Sequence, residues 1–370
     1  MVRRAAVEVN AGGVVAGGRL GHGGPPPQTD SSMPLTDWQT RLDASPELFP
    51  LAIDPAIDRV RLVRLAAVDY EKASFLDERL AAPVVAEPAF AEIEAAMAGA
   101  PVACDYIFHI GHVGSTLLSR LLGQHPQVFS VREPHALRTF AAAEVAGTPW
   151  AGAELDRRLR VFQALFSRTW APPQRALVKA TSLVSGLAPR LMAQDPAGRA
   201  LLMTLAPEAY LAAIFSGANL GDVQQAAALR LARLNRRIGR EAWTLAQLSP
   251  GEVVAMSWAS DLAVFADLAR RMPERVLVID FEAFLADPAK GVAAALAHLH
   301  GRSDPAEAAR IAASPYLQRY SKAPEYGYGA ELRRRVLEQA RRTAAEQIRR
   351  GLAWLDAAAK AWPVIAEAAA

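Results

Sequence analysis

The sequence predicts an α/β fold, a parallel sheet flanked by helices with extra helical segments, and three observations lead there. Short apolar runs alternate with helical stretches between about residues 105 and 280, and strands joined through helices pair in parallel and are covered on both faces. The run Tyr106-Ile107-Phe108-His109-Ile110 ends in glycine and passes directly into a helix striped by Leu117, Leu118, Leu121 and Leu122. With 370 residues, 52% of them apolar, the chain is long enough to bury a substantial core.

Residues 1–34 carry seven glycines between Gly12 and Gly24 and then Pro25 to Pro27, a composition expected of a flexible leader. Arg3 and Arg4 are followed by small, Gly-interrupted residues rather than an apolar stretch, which argues against a signal peptide, and Met33 is an alternative start. A single domain is then expected over 35–370. From Trp38 to about Ala98 the Ala and Leu spacings predict helix, broken by Pro50, Pro55, Pro83 and Pro88. After the strand at 106–110 come strands at about 128–131, 176–179, 201–205 and 276–279. Helices fill 208–270, and one or two more close the chain over 331–368.

A formal charge of +3, from 41 basic and 38 acidic residues, is too small for a nucleic-acid protein without a concentrated patch. The one arginine-rich run, Glu331 to Arg350, interleaves Glu331, Glu338 and Glu346 as a solvated helix with ion pairs one turn apart would. The single cysteine, Cys104, excludes an intramolecular disulfide and is expected to be a small buried hydrophobe in a cytoplasmic protein. No uninterrupted apolar run approaches the roughly 20 residues of a spanning helix. His298 and His300 lack thiols or carboxylates at useful spacing, so no metal site is expected.

The chemistry concentrates at Gly111-His112-Val113-Gly114-Ser115-Thr116, between the first strand and its helix. Glycines there let main-chain N–H groups turn inward, and the helix N-terminus adds partial positive charge, so the segment suits an anionic phosphate. A capped strand-to-helix turn is the plainer alternative. The segment has neither the lysine nor the four-residue glycine spacing of an NTPase loop. A second candidate, Glu133 in Arg132-Glu133-Pro134-His135, follows the next strand, where ligands of parallel sheets gather. It is a general-base candidate with His135 in reserve, the competing reading being an ion pair with Arg132.

The stretch FHIGHVGSTLLSRLLGQHPQVFSVREP resembles the 5′-phosphosulfate loop of sulfotransferases, and the resemblance extends over about residues 105–325. It implies a P-loop NTPase-like sheet and 3′-phosphoadenosine 5′-phosphosulfate (PAPS) as sulfuryl donor, held by Gly114, Ser115 and Thr116 within the loop 111–116. His112 stands where the family has a lysine or arginine that stabilises charge on the leaving phosphate. Glutamates in a similar position serve as base in several carbohydrate and tyrosine sulfotransferases, which favours Glu133.

Leu177 to Ser182 resembles the family's Lys-Thr-Pro segment, making Lys179 a candidate contact for substrate. The family's Arg-Asp-Pro-Arg stretch, which grips the 3′-phosphate, reads Leu205-Ala206-Pro207-Glu208 here, without either arginine. Ser216 and the basic segment Arg319-Tyr320-Ser321-Lys322 are the candidate substitutes. Residues 276–288 resemble the family's late structural stretch, so Asp280 is not assigned magnesium. The expected activity is sulfuryl transfer to a hydroxyl or amine of a small-molecule, carbohydrate or peptide acceptor. Alternatives are a kinase-like phosphotransferase and an inactive nucleotide-binding protein.

Overall fold

The structure, a computed structural model, describes residues 38–42, 45–217, 219–319 and 329–369. The leader at 1–34, Met33, Tyr320, Ser321 and Lys322 lie outside the described residues. The chain opens with α1 (Trp38–Arg41), β1 (Leu48–Asp54), β2 (Arg59–Arg64), α2 (Ala67–Lys72), β3 (Val84–Ala86) and α3 (Phe90–Ala96). The body begins β4 (Cys104–His109), α4 (Ser115–Leu122), β5 (Val128–Arg132), α5 (Ala136–Ala146), α6 (Gly152–Phe166), β6 (Arg175–Lys179) and α7 (Ala188–Gln194). It continues β7 (Ala200–Thr204), α8 (Pro207–Phe215), α9 (Asn219–Ile238), α10 (Pro250–Arg271), β8 (Val276–Asp280) and α11 (Phe281–Ala286). Helices α12 (Pro288–His300), α13 (Pro305–Ala312), α14 (Ala330–Thr343), α15 (Ala345–Ala361) and α16 (Pro363–Ala369) close it.

Strands β4 to β8 form one sheet in the order β5-β6-β4-β7-β8, and every neighbouring pair is parallel. This is the parallel sheet expected from the alternation of strands and helices. All six residues of β4 are buried, as are all five of β5, because helices cover both faces and no polar alternation is needed. At the edge, β8 leaves Val278 exposed. The chain leaves β4 toward β5 on one side and β7 toward β8 on the other. The crevice at the carboxyl ends of β4 and β7 is therefore the topological switch point where open parallel sheets bind ligands.

The helical reading of 38–98 is corrected. Strands β1, β2 and β3 form an antiparallel sheet, with short helices before, between and after them. LFPLAID and RVRLVR hold β-formers only at Phe49, Ile53, Val60 and Val63, but β2 alternates between exposed and buried positions over Arg59 to Leu62. Asp54 accepts a hydrogen bond from the Ala56 amide at 2.8 Å and Asp58 adopts φ +54°, so the two ends of the hairpin turn carry residues that tolerate such geometry. Pro50 is accommodated where the β1–β2 register shifts, on a strand at the sheet's edge.

Two buried arginines tie this small sheet to the body. Arg168 donates to the carbonyls of Leu42, Ser45 and Leu48, and Arg158 joins Asp58 to Glu154 while lying over the rings of Phe90 and Trp150. In the helical layer, Asp261 on α10 is fully buried between Arg230 and Arg233 of α9. Cys104 is buried at the start of β4, and burial pushes its thiol up to about 12. Among the described residues no helix is long and apolar enough to cross a membrane.

Candidate active site

The loop from Ile110 to Gly114 is fastened from several sides before it meets any ligand. The His109 carbonyl accepts from Ser185 Oγ at 3.1 Å, and the Ile110 carbonyl accepts from Tyr210 Oη at 3.1 Å. The Gly111 amide donates to His109 Nδ1 at 3.0 Å. Gly111, His112 and Gly114 take φ of +89°, +55° and +68°, and left-handed residues of this kind bend successive amides toward one concavity. At Gly114 a side chain is doubly excluded: the conformation is left-handed, and an added Cβ would lie 2.1 Å from the Phe281 ring.

Gly114 caps α4 without any side-chain cap, so the first-turn amides have no intrahelical acceptor. Ser115 and Thr116 are buried in that turn, and Thr116 Oγ1 has no hydrogen-bond partner among the described residues. A buried hydroxyl without a partner is uncommon in a folded protein. Together with the αL nest it fits an anionic ligand that is itself the missing partner. Val113 points into the core.

His112 is a non-glycine residue in the left-handed region, a strain that well-packed surroundings must sustain. Its side chain is mostly buried, with Nε2 3.8 Å from Asp222 Oδ2 in the first turn of α9. It is therefore not a solvated loop histidine.

Glu133 takes φ +51° directly after β5. Its amide donates to the Lys179 carbonyl at 2.6 Å, and its carboxylate accepts from Lys179 Nζ through Oε1. The Lys179 side chain is fully buried and that of Glu133 is 7% exposed. Because β6 lies between β5 and β4, Glu133 stands two strands from the loop rather than beside it, a lateral distance of about 9.5 Å. Lys179, expected as a contact for substrate, lies in that gap, buried against Glu133.

Arg132, the residue suspected of pairing with Glu133, turns the other way and donates to the carbonyls of Tyr70, Glu71 and Ala73 at the end of α2. Arg120 joins it on Glu71, Lys72 and Ser74. Burial, with the Arg120 charge beside it, lowers the Arg132 guanidinium to about 10. The clamp fixes the segment that follows α2, which then pairs with the β5 turn: the Leu76 amide donates to the Arg132 carbonyl, and the His135 amide to the Leu76 carbonyl.

That segment brings Asp77 and Arg79 to the site. Burial pushes the Asp77 carboxyl up, but the hydrogen bonds and charge of Arg79 outweigh it and hold the group below its usual range. Arg79 lies 3.8 Å over the Phe75 ring. Arg138 of α5 completes the group, 3.5 Å from Glu133 Oε2. His135 is partly exposed, with Nε2 4.0 Å from Glu78.

The expected 3′-phosphate groups fare differently. Ser216 closes α8 and donates its hydroxyl to the Ala213 carbonyl at 2.8 Å. Arg319 is exposed, and Ser321 and Lys322 fall outside the described residues. Glu208 in the first turn of α8 is paired with Arg341 at 3.0 Å, a carboxylate where the resembling family has a guanidinium. Arg333 lies over the Phe281 ring and pairs with Glu282 at 2.7 Å. Asp280 accepts from the Ala283 amide as the cap of α11, and among the described residues no group of His, Cys, Asp and Glu could hold a metal.

Asp77, Arg79, Arg138 and Phe281 went unremarked in the sequence because only the fold brings them to the site. The single local hint was Phe281, directly after a strand end.

No protein-family profile matches the sequence, and a search of curated proteins finds no match. Among solved structures, similarity is found to the sulfotransferase domain from the curacin biosynthetic pathway, at 14% identity and a TM-score of 0.40, over 66% of this chain and 98% of that one. A sulfotransferase from Alicyclobacillus acidocaldarius is similar at 20% identity and a TM-score of 0.32, over 56% and 85% of the two chains. One from Mycobacterium avium follows at 13% identity and 0.37, over 68% and 81%.

Proposed function

We propose that the protein is a sulfotransferase that moves the sulfuryl group of PAPS to a hydroxyl or amine of an acceptor. The observation that carries this reading is the pairing of an amide-lined loop, with its unpartnered Thr116 hydroxyl, and a held carboxylate two strands away. A leaving phosphate, a transferring group, an attacking oxygen and a base in a row, each about 3 Å from the next, span about 9 Å. Two strand spacings, about 9.5 Å between backbones, leave room for such a row.

In this reading Glu133 takes the proton of the acceptor hydroxyl as its oxygen bonds to sulfur. The bond from sulfur to the bridging oxygen breaks, and the charge left on the 5′-phosphate falls on the first-turn amides, Ser115 and Thr116. Donors aimed at charge that develops in the transition state commonly supply several kcal/mol of rate enhancement. His112, with Asp222 3.8 Å from its Nε2, adds a further donor to that phosphate in this reading. Lys179 keeps the base in place. The 3′-phosphate is assigned to Arg319, Ser321 and Lys322, since Glu208 occupies the start of α8.

A kinase-like reading is less well supported, because Asp280 is engaged as a helix cap and the loop has no lysine. Titration calorimetry with adenosine 3′,5′-bisphosphate, AMP and Mg-ATP tests the assignment. The bisphosphate is expected to bind most tightly, and Ser115→Ala to weaken it. Glu133→Gln is expected to abolish transfer while leaving nucleotide binding unchanged. Preference for Mg-ATP, or unaltered turnover in Glu133→Gln, overturns it.

A further inference from the structure

We propose that the acceptor carries an anionic group, a carboxylate or a sulfate, near the hydroxyl or amine that is modified, and that Arg138 receives it. This rests on the sulfotransferase reading of the site and names the substrate class that reading leaves open.

Arg138 is a cation without a settled partner. Its guanidinium donates no hydrogen bond among the described residues, its Nε is buried without an acceptor, and its only ion pair is the 3.5 Å approach to Glu133. That distance is too long for a good hydrogen bond. Glu133 is already neutralised by Lys179, which is bonded directly to it. The other nearby carboxylate, Asp77, is engaged by the fork of Arg79. Glu78 and Asp222, the remaining acids around the mouth, face His135 and His112. Glu133 is thus held by Lys179 and Asp77 by Arg79, and Arg138 is left without a hydrogen-bonded counter-charge among the described residues.

Arg138 is also accessible, with 39% of its side chain exposed, and a guanidinium without its fork partner is suited to a carboxylate or sulfate. The reaction strengthens the preference. When Glu133 accepts the acceptor's proton it loses its charge, and Arg138 loses the negative group 3.5 Å from it. An anion on the acceptor is then bound more tightly in the transition state than before it, which raises kcat as well as lowering KM.

The test uses matched acceptors in the presence of adenosine 3′,5′-bisphosphate: p-nitrophenyl β-glucuronide against the β-glucoside, and N-acetyltyrosine against its amide. Equilibrium binding of each is measured by calorimetry on the full chain. At least one anionic member is expected to bind about 10-fold or more tightly than its neutral twin, as charge-assisted hydrogen bonds allow. Arg138→Met should erase the preference, Arg138→Glu reverse it and Arg138→Lys restore part of it, with bisphosphate affinity unchanged throughout. Equal binding of both members of each pair, binding of none, or a preference that survives Arg138→Met overturns the proposal. Loss of bisphosphate binding in the unmodified protein would instead count against the donor assignment.

Discussion

Lys179→Met should be among the most destabilising single substitutions available at the site. The lysine side chain is fully buried and that of Glu133 is 7% exposed, so removing the ammonium leaves a carboxylate desolvated with no hydrogen-bonded counter-charge. Breaking a buried pair from one side typically costs about 3–5 kcal/mol. Arg138 remains 3.5 Å from the other oxygen and is partly exposed, which places the expected cost near the lower end, about 3 kcal/mol. In the double variant Glu133→Gln/Lys179→Met the orphaned charge is gone and only an amide lacks a partner, at about 1–2 kcal/mol. The double variant should therefore be more stable than Lys179→Met alone. Urea unfolding of the four proteins completes the cycle. A Lys179→Met protein within about 1 kcal/mol of the parent, or a double variant no more stable than Lys179→Met, would refute the idea that these groups sustain each other.

Gly114→Ala places a methyl 2.1 Å from the Phe281 ring in a left-handed position, so it should abolish nucleotide binding in calorimetry; unchanged affinity would mean the loop is not the cradle. Burial, and then the electrostatic influence of His125 and Arg175, lower the His300 pKa, while Glu307 faces His125 at 3.4 Å. The unfolded chain therefore takes up a proton first as pH falls below about 6.5. Stability is expected to be complete above that pH and to decline below it, with His300→Gln flattening the decline in pH-dependent urea melts. Cys104, with its thiol pushed up to about 12 and no exposed surface, should resist a thiol reagent in the native protein and react on unfolding; rapid native labelling would contradict its burial. Asp261→Ala leaves Arg230 and Arg233 buried between α9 and α10, and should cost about 3–5 kcal/mol in the same unfolding assay.

Much of the centre of the fold was readable because its signals are local. An apolar run followed by glycines and a leucine stripe describes β4, its loop and α4 without reference to the rest of the chain, and β5 to β8 fall at the runs expected of them. The N-terminal sheet was misread for a related reason. Its hairpin strands are short and lie among Ala, Leu and Pro, and what makes them strands is pairing across β2, together with Arg168 and Arg158 holding them to the body. At the site, Glu133 and Lys179 were each visible as residues at strand ends. That they form one buried pair was not, because 46 residues separate them and only strand order brings them together.

The sequence by itself determined the glycine-bearing turn from strand to helix and the alternation that builds a parallel sheet, since backbone freedom at glycine and the period of apolar residues act within a few positions. Tertiary structure alone decided that β6 lies between β5 and β4. That placement sets the reach from loop to carboxylate, buries Lys179 against Glu133 and leaves Arg138 facing the mouth. Such contacts depend on which strand neighbours which, a choice made by the packing of the whole sheet rather than by any one segment.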